Sequence, residues 1–398
     1  MNRFDYLGAV PNVRIGNLQG RCIRVRSSYS FVPFAGLELD PTEHLAQLAA
    51  SGEYAGVLVG VDGEKHFIKA LSPEMADWLG SLREPCRIDE VEGFTGSEGL
   101  RGLVGLVLDG VLEIESEDGF CSESAAYHVL IADDAEVAGS TCAGDDISLR
   151  AIRHASRFDT TEANFLAARL YLYGRRPVTR RWLNRWPDAE AVIQELGLGH
   201  RAELKGKASA SFSPDRWNPE WPWLSWRSRE RTAIEEGRSQ VYKLYLAPDA
   251  IDFIDAFHIV SNRLSDSAAL SFKIGPDAYG LQRPDKFIVY FADLREMARF
   301  GLELAGALRG LRAQAVPFTA AIGDQGLIWW GIDSANSQAP AALGFVDSWR
   351  FWVANRIALA LSVANRQERP VVEPLRFALT RLALFGVDTR HWCMAADV

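Results

Sequence analysis

The sequence predicts an α+β protein: a C-terminal mixed or antiparallel sheet covered by helices, preceded by an acidic N-terminal α+β domain and a basic helical connector. Three observations carry this. From Val241 to Asp333, apolar runs with a period of two alternate with two segments whose apolar residues recur every three or four positions. Charge divides the chain, since residues 1–149 hold 10 Lys and Arg against 25 Asp and Glu, residues 150–240 hold 17 against 11, and residues 241–398 hold 16 against 16. Asp-Gly pairs at Asp62-Gly63 and Asp118-Gly119 mark hairpin turns in the acidic third. The expected domains are therefore an acidic α+β unit at 1–147 with a possible peptide-binding role, an Arg/Trp-rich helical connector at 148–236, and an α+β domain with C-terminal helices at 237–398. With 398 residues and 48% hydrophobic content there is material for two or three domains.

In chain order, Ala55 to Leu71 has apolar residues on both sides of Asp62-Gly63 and reads as a hairpin, followed by a helix around Pro73 to Arg83. A helix from Gly99 to Leu108 precedes a second hairpin over Val111 to Glu123. A helix with a hairpin wing resembles the winged-helix modules that bind leader peptides. From Phe165 a helix runs to near Gly174, and Arg175, Arg176, Arg180, Arg181 and Arg185 surround a proline break, with Trp182 and Trp186 one turn apart on the next helix. This basic stretch suits either an acidic or phosphorylated partner or the acidic N-terminal domain itself. Arg216 to Glu230 packs Trp217, Trp221, Trp223 and Trp226 among prolines, as extended chain that covers a core or lines a peptide groove.

The C-terminal third opens with the strand VYKLYL, Val241 to Leu246. A helix opened by Pro248 carries Ile251, Ile254, Phe257, Val260 and Leu264. Strands Leu270 to Gly275 and Lys286 to Phe291 are joined by the polar loop Pro276 to Asp285. A helix capped by Asp293 runs to about Arg309, VPFTAAI and GLIWWGI form a hairpin, and Ser334 to Gly344 is a linker or lid. An amphipathic helix over Ser348 to Gln367 and a last helix ended by Gly386 are expected to pack on the sheet.

Lysines stand on or beside these strands at Lys243, Lys273 and Lys286. A lysine on a core-building strand needs water, a counter-charge or a perturbing environment, and three on one small sheet imply an anion. Other chemistries find little support. The five cysteines are scattered without a CxxC pair, so neither a disulfide framework nor a zinc site is indicated, and no metal and no cofactor are expected. There is no P-loop, dinucleotide fingerprint, GxSxG or HExxH, and Lys69 lacks the Gly-rich loop and the downstream motifs of a kinase. His258, within an apolar helix pattern, reads as structural. The acidic first third argues against nucleic-acid binding. The absence of a long apolar run or signal segment suggests a cytoplasmic protein that contacts no membrane.

Tyr242 to Leu246, Phe272 to Gly275, Arg283 to Phe291, Val316 to Ala320 and Leu327 to Asp333, with their intervening helices, resemble the phosphothreonine lyase module. That module is known from bacterial effector lyases, including the Hop-type effector family, and from lyase domains of lanthipeptide synthetases. The resemblance spans roughly residues 241–335 and implies β-elimination of phosphate from phosphothreonine or phosphoserine. Carried over, Lys273 would be the base, Lys243 a partner in phosphate or carbonyl binding, and Lys286 with Arg283 phosphate ligands. Tyr279 and Trp330 would complete the substrate pocket. Two positions depart from the family: Lys243-Leu244-Tyr245 replaces Lys-x-His, which leaves Tyr245 as the acid, and Trp329-Trp330 stand where relatives place an arginine. Arg350 or Arg356 would replace that arginine if turned inward. The expected function is a lyase acting on a phosphorylated peptide, a ribosomal precursor in a lanthipeptide-like pathway, with a separate kinase and other peptide-modifying enzymes as partners. The alternative is a non-catalytic lyase-like protein that presents such a peptide to those enzymes.

Overall fold

The computed structural model describes residues 13–37, 44–60, 66–91, 96–132, 146–215, 222–230, 241–333, 348–366 and 371–394. The expected N-terminal hairpins are present as Gly56–Gly60 against His66–Leu71, and Leu112–Ser116 against Gly119–Cys121. Gly119 takes φ 115°, as its turn requires, while Asp62-Gly63 lies outside the described residues. Helices Pro73–Ser81 and Ser97–Leu108 follow the expected positions closely.

The C-terminal third builds the larger sheet. Its strands are β1 (Phe212–Pro214), β2 (Leu224–Ser228), β3 (Val241–Leu246), β4 (Ser271–Ile274), β5 (Phe287–Phe291), β6 (Ala320–Ile322) and β7 (Ile328–Asp333). They pair in the order β6-β7-β3-β5-β4-β2-β1, antiparallel throughout. One of these strands, β2, comes from the Trp-rich stretch, which sequence reading took for extended chain covering a core or lining a peptide groove, and β1 lies just before that stretch. The prolines leave the pairing intact, because Pro214 ends β1 and Pro222 lies before β2, and Trp226 faces inward where Phe272 stacks on it at 4.7 Å.

Alternation gives the sheet two unlike faces. Leu244 lies opposite Val289 and Trp330, and Phe272 opposite Val289 and Trp226. This apolar row packs beneath helices α2 (Phe253–Leu264) and α3 (Leu294–Ala307) in one hydrophobic core. The first of these helices starts later than expected. Asp249, not Pro248, caps a short 3-10 turn over Ala250–Asp252, and α2 begins at Phe253. Asp293 caps α3 as read, accepting from the Glu296 amide. The polar loop before β5 contains a helical turn, Ala278–Leu281, capped by Asp277. Its Gly280 presses on Gly275, where a Cβ on Gly280 would lie 2.7 Å from the Gly275 Cα.

The C-terminal helices correct a further expectation. Helix α4 (Trp349–Ala364) is buried nearly all round, between α1 (Ala163–Tyr171) and α5 (Pro374–Leu384), and its core includes Leu103, Val107, Tyr127 and Leu166. These helices pack mainly with α1, with each other and with N-terminal elements, and the start of α4 meets the sheet, where Trp349 closes on Gly331. His258 is exposed on α2, outside the apolar stripe assigned to it.

Candidate functional site

The second sheet face carries the polar residues. In register across the strands run Gly331, Lys243, Tyr290, Ser271 and Arg227, and two residues along each strand, on the same face, run Trp329, Tyr245, Ile288, Lys273 and Ser225. Lys243 and Lys273 thus share a face because each is an odd member of a strand whose even members fill the core. Their ammonium groups lie 5.5 and 5.4 Å from the centre of the same Tyr290 ring. Lys273 is also 4.4 Å from the centre of Trp223, and the Arg283 guanidinium is 4.8 Å from that indole. Cation–π attraction is about 0.5–2 kcal/mol per contact. Here it holds three cations along one line of aromatic rings.

Arg283 is fixed from behind. Its Nε and Nη2 donate to the two oxygens of Asp285 at 2.8 and 3.0 Å, and Nη2 also donates to the Tyr171 hydroxyl at 2.9 Å. Arg350, 1% exposed, reaches the same carboxylate at 2.8 Å. Burial would raise the Asp285 carboxyl, but Arg350 and Arg283 beside it hold it well below the usual carboxylate range. Burial opposes the charge of Arg283 as well, yet Asp285 keeps the guanidinium protonated beyond its ordinary range. Arg350 is therefore turned inward, as its helix position allowed, and it serves Asp285. Arg356 lies over Trp352 and Phe385.

The other expected site residues take different places. Tyr245 is on the lysine face, 2% exposed, in a small cluster with Ala247, Ile288 and Val316. Lys286 is fully buried at the end of β5, donating to the Pro248 carbonyl at 2.7 Å and to Gln314 Oε1. Desolvation pushes its ammonium down to about 7, with Asp249 opposing and Arg176 reinforcing the shift. Tyr279 is half-exposed beside Arg175, whose guanidinium lies 5.8 Å from its ring centre. Trp330 points to the opposite face, into the core under the helices, and Trp329 is the tryptophan beside Tyr245. Sequence reading missed Tyr290 and Tyr171, and it named Trp223 only as one tryptophan of a covering or groove-lining stretch. Parity relative to Lys243 and Lys273 marks Tyr290, whereas Trp223 and Tyr171 reach the site through pairings that no local pattern encodes.

Among the described residues no group of His, Cys, Asp or Glu could hold a metal ion, and no helix is long and apolar enough to cross a membrane. No protein-family model and no curated protein sequence matches the chain. Solved structures similar to part of it include an effector protein from Pseudomonas syringae pathovar tomato, at 11% identity and a TM-score of 0.39, covering 63% of this chain and 98% of that one. The phosphothreonine lyase OspF from Shigella flexneri aligns at 13% identity and a TM-score of 0.27, covering 42% of this chain and 88% of its own. The phosphothreonine lyase SpvC from Salmonella aligns at 13% identity and a TM-score of 0.27, covering 45% and 89%.

Proposed function

We propose that this protein is a phosphothreonine or phosphoserine lyase that eliminates phosphate from a phosphorylated peptide or protein segment. The observation that carries this reading is the alignment of Lys243, Lys273 and Arg283 along one sheet face, spaced by Tyr290 and Trp223. In this scheme the neutral amine of Lys273 takes the Cα proton. The released electron pair forms the Cα=Cβ bond as the Cβ–O bond breaks. Phosphate departs with that oxygen, and dehydrobutyrine or dehydroalanine remains. Lys243 and Arg283 neutralise charge that grows on the substrate carbonyl and on the leaving phosphate. Tyr245 supplies the proton to the departing oxygen. The substrate class extends to a ribosomal precursor peptide phosphorylated by a separate kinase, since that chemistry presents the same phosphoamino acid.

The second reading, a non-catalytic protein that binds such a phosphopeptide and presents it to modifying enzymes, is favoured by one observation. Tyr245 is 2% exposed, where a proton donor must reach the leaving group. Intact mass of a phosphothreonine peptide after incubation with the wild type and with Lys273→Ala separates the two. Loss of phosphoric acid with the wild type alone supports elimination. Unchanged mass with both, for peptides retained by the protein, supports binding.

A further inference from the structure

Two of the groups that hold Arg283 come from outside the sheet: Tyr171 ends helix α1, and Arg350 opens helix α4. We propose that Tyr171, Asp285 and Arg350 are positioning residues that fix Arg283 as an anion-binding cation. The phosphate subsite is then built jointly by the sheet and by the α1–α4 helix pair.

Charge and donor counts carry the argument. The cluster holds two guanidinium groups on a single carboxylate. Tyr171 adds no negative charge, because burial pushes its phenol up, with Asp285 adding to the effect. A net positive charge therefore sits in nearly dry surroundings, which is costly unless an anion completes it. The donors show where that charge is presented. Every nitrogen of Arg350 has an acceptor: Nε donates to the Pro317 carbonyl at 3.1 Å, Nη2 to the Tyr171 carbonyl at 3.0 Å and Nη1 to Asp285 at 2.8 Å. Arg283 uses Nε and Nη2, and its Nη1 has no acceptor among the described residues. Its side chain is 23% exposed, against 1% for Arg350. The surplus charge is thus offered at one edge of Arg283, beside the indole that also holds Lys273. Planar N–H donors next to an ammonium suit the oxygens of a phosphate group.

Arg350 acts on Arg283 only through Asp285, and it anchors that carboxylate to backbone carbonyls of two separate segments. Tyr171 limits rotation of the guanidinium about its bond to Asp285. The identification of the anion as substrate phosphate rests on the lyase reading, whereas the charge imbalance does not.

The test uses the full chain with Tyr171→Phe and Arg350→Lys, each checked by circular dichroism and denaturation midpoint, and titrates inorganic phosphate by calorimetry. Tyr171→Phe keeps the ring but removes the hydrogen bond accepted from Arg283 and the longer one, 3.5 Å, donated to Asp285, so the phosphate dissociation constant should rise about three- to tenfold. Arg350→Lys keeps the charge and loses the backbone anchors, and it should weaken phosphate about tenfold. On a phosphothreonine peptide both should raise KM more than they lower kcat. Wild-type protein that binds no phosphate overturns the proposal. So do variants that lower the denaturation midpoint yet bind phosphate like the wild type, which is the signature of a purely structural role. If phosphate binding weakens as stated while no peptide is eliminated, the positioning role stands and the lyase reading falls.

Discussion

Lys286→Met isolates the electrostatic cost of placing an amine in the core. Lys286 is fully buried, and burial lowers its pKa from 10.5 to about 7. Between those values the unfolded chain binds a proton that the folded chain does not, so stability rises with pH. The slope is about 1.4 kcal/mol per pH unit, and about 2–3 kcal/mol accrues between pH 7 and pH 9. Below about pH 7 both states are protonated and the full desolvation cost, on the order of 5 kcal/mol, is carried by the fold. A neutral amine has two N–H donors, matching the Pro248 carbonyl and Gln314 Oε1. Methionine leaves both acceptors unpaired, at about 1–3 kcal/mol each, but it has no proton to lose. Relative to wild type, Lys286→Met should therefore be clearly less stable near pH 9 and close to it, or ahead, near pH 6. Urea denaturation of both proteins over about pH 6 to 9.5 reads this directly, because pH effects common to the two chains cancel in the difference. Parallel stability curves would refute the assignment of Lys286 as a buried, mostly neutral amine at alkaline pH.

Further outcomes follow from packing. Trp226 is fully buried against Phe272 and donates to the Ala202 carbonyl at 2.7 Å, so Trp226→Ala should cost about 3–5 kcal/mol in chemical denaturation, and Trp226→Phe less. Gly280→Ala places a Cβ 2.8 Å from Pro276 Cδ, and it should cost about 1–3 kcal/mol while weakening phosphate binding, since Arg283 follows this turn. Burial, aided by Asp388, pushes the Cys393 thiol up to about 12, so native protein at mildly alkaline pH should leave Cys393 unalkylated by mass spectrometry, and denatured protein should label it. Trp223→Ala removes the ring shared by Lys273 and Arg283. It should lower the affinity for phosphate measured by calorimetry while leaving the denaturation midpoint nearly unchanged, because Trp223 is only partly buried.

Period-two alternation by itself settled β3, β4, β5 and the β6–β7 hairpin, and with them the shared face of Lys243 and Lys273, because strand parity is a local property of the chain. Capping chemistry placed α3 behind Asp293. The same parity argument puts Trp330 with Leu244 in the core, which shows that the pattern held more than was drawn from it. Other assignments were decided only by the fold. Nothing in a lysine next to a strand tells whether loops will seal it, and Lys286 became buried because Pro248 and Gln314, far apart in sequence, close over it. Helix α4 reads as amphipathic, yet it is wrapped by α1 and α5, since burial on a helix's second face depends on which neighbours arrive. The sequence determined which side chains share a strand face. Only the tertiary structure decided that Tyr171 and Arg350, more than a hundred residues apart in the chain, would meet Asp285 and hold Arg283. Such long-range ion pairs carry no periodic signature, because they depend on how separate elements dock rather than on how any one of them winds.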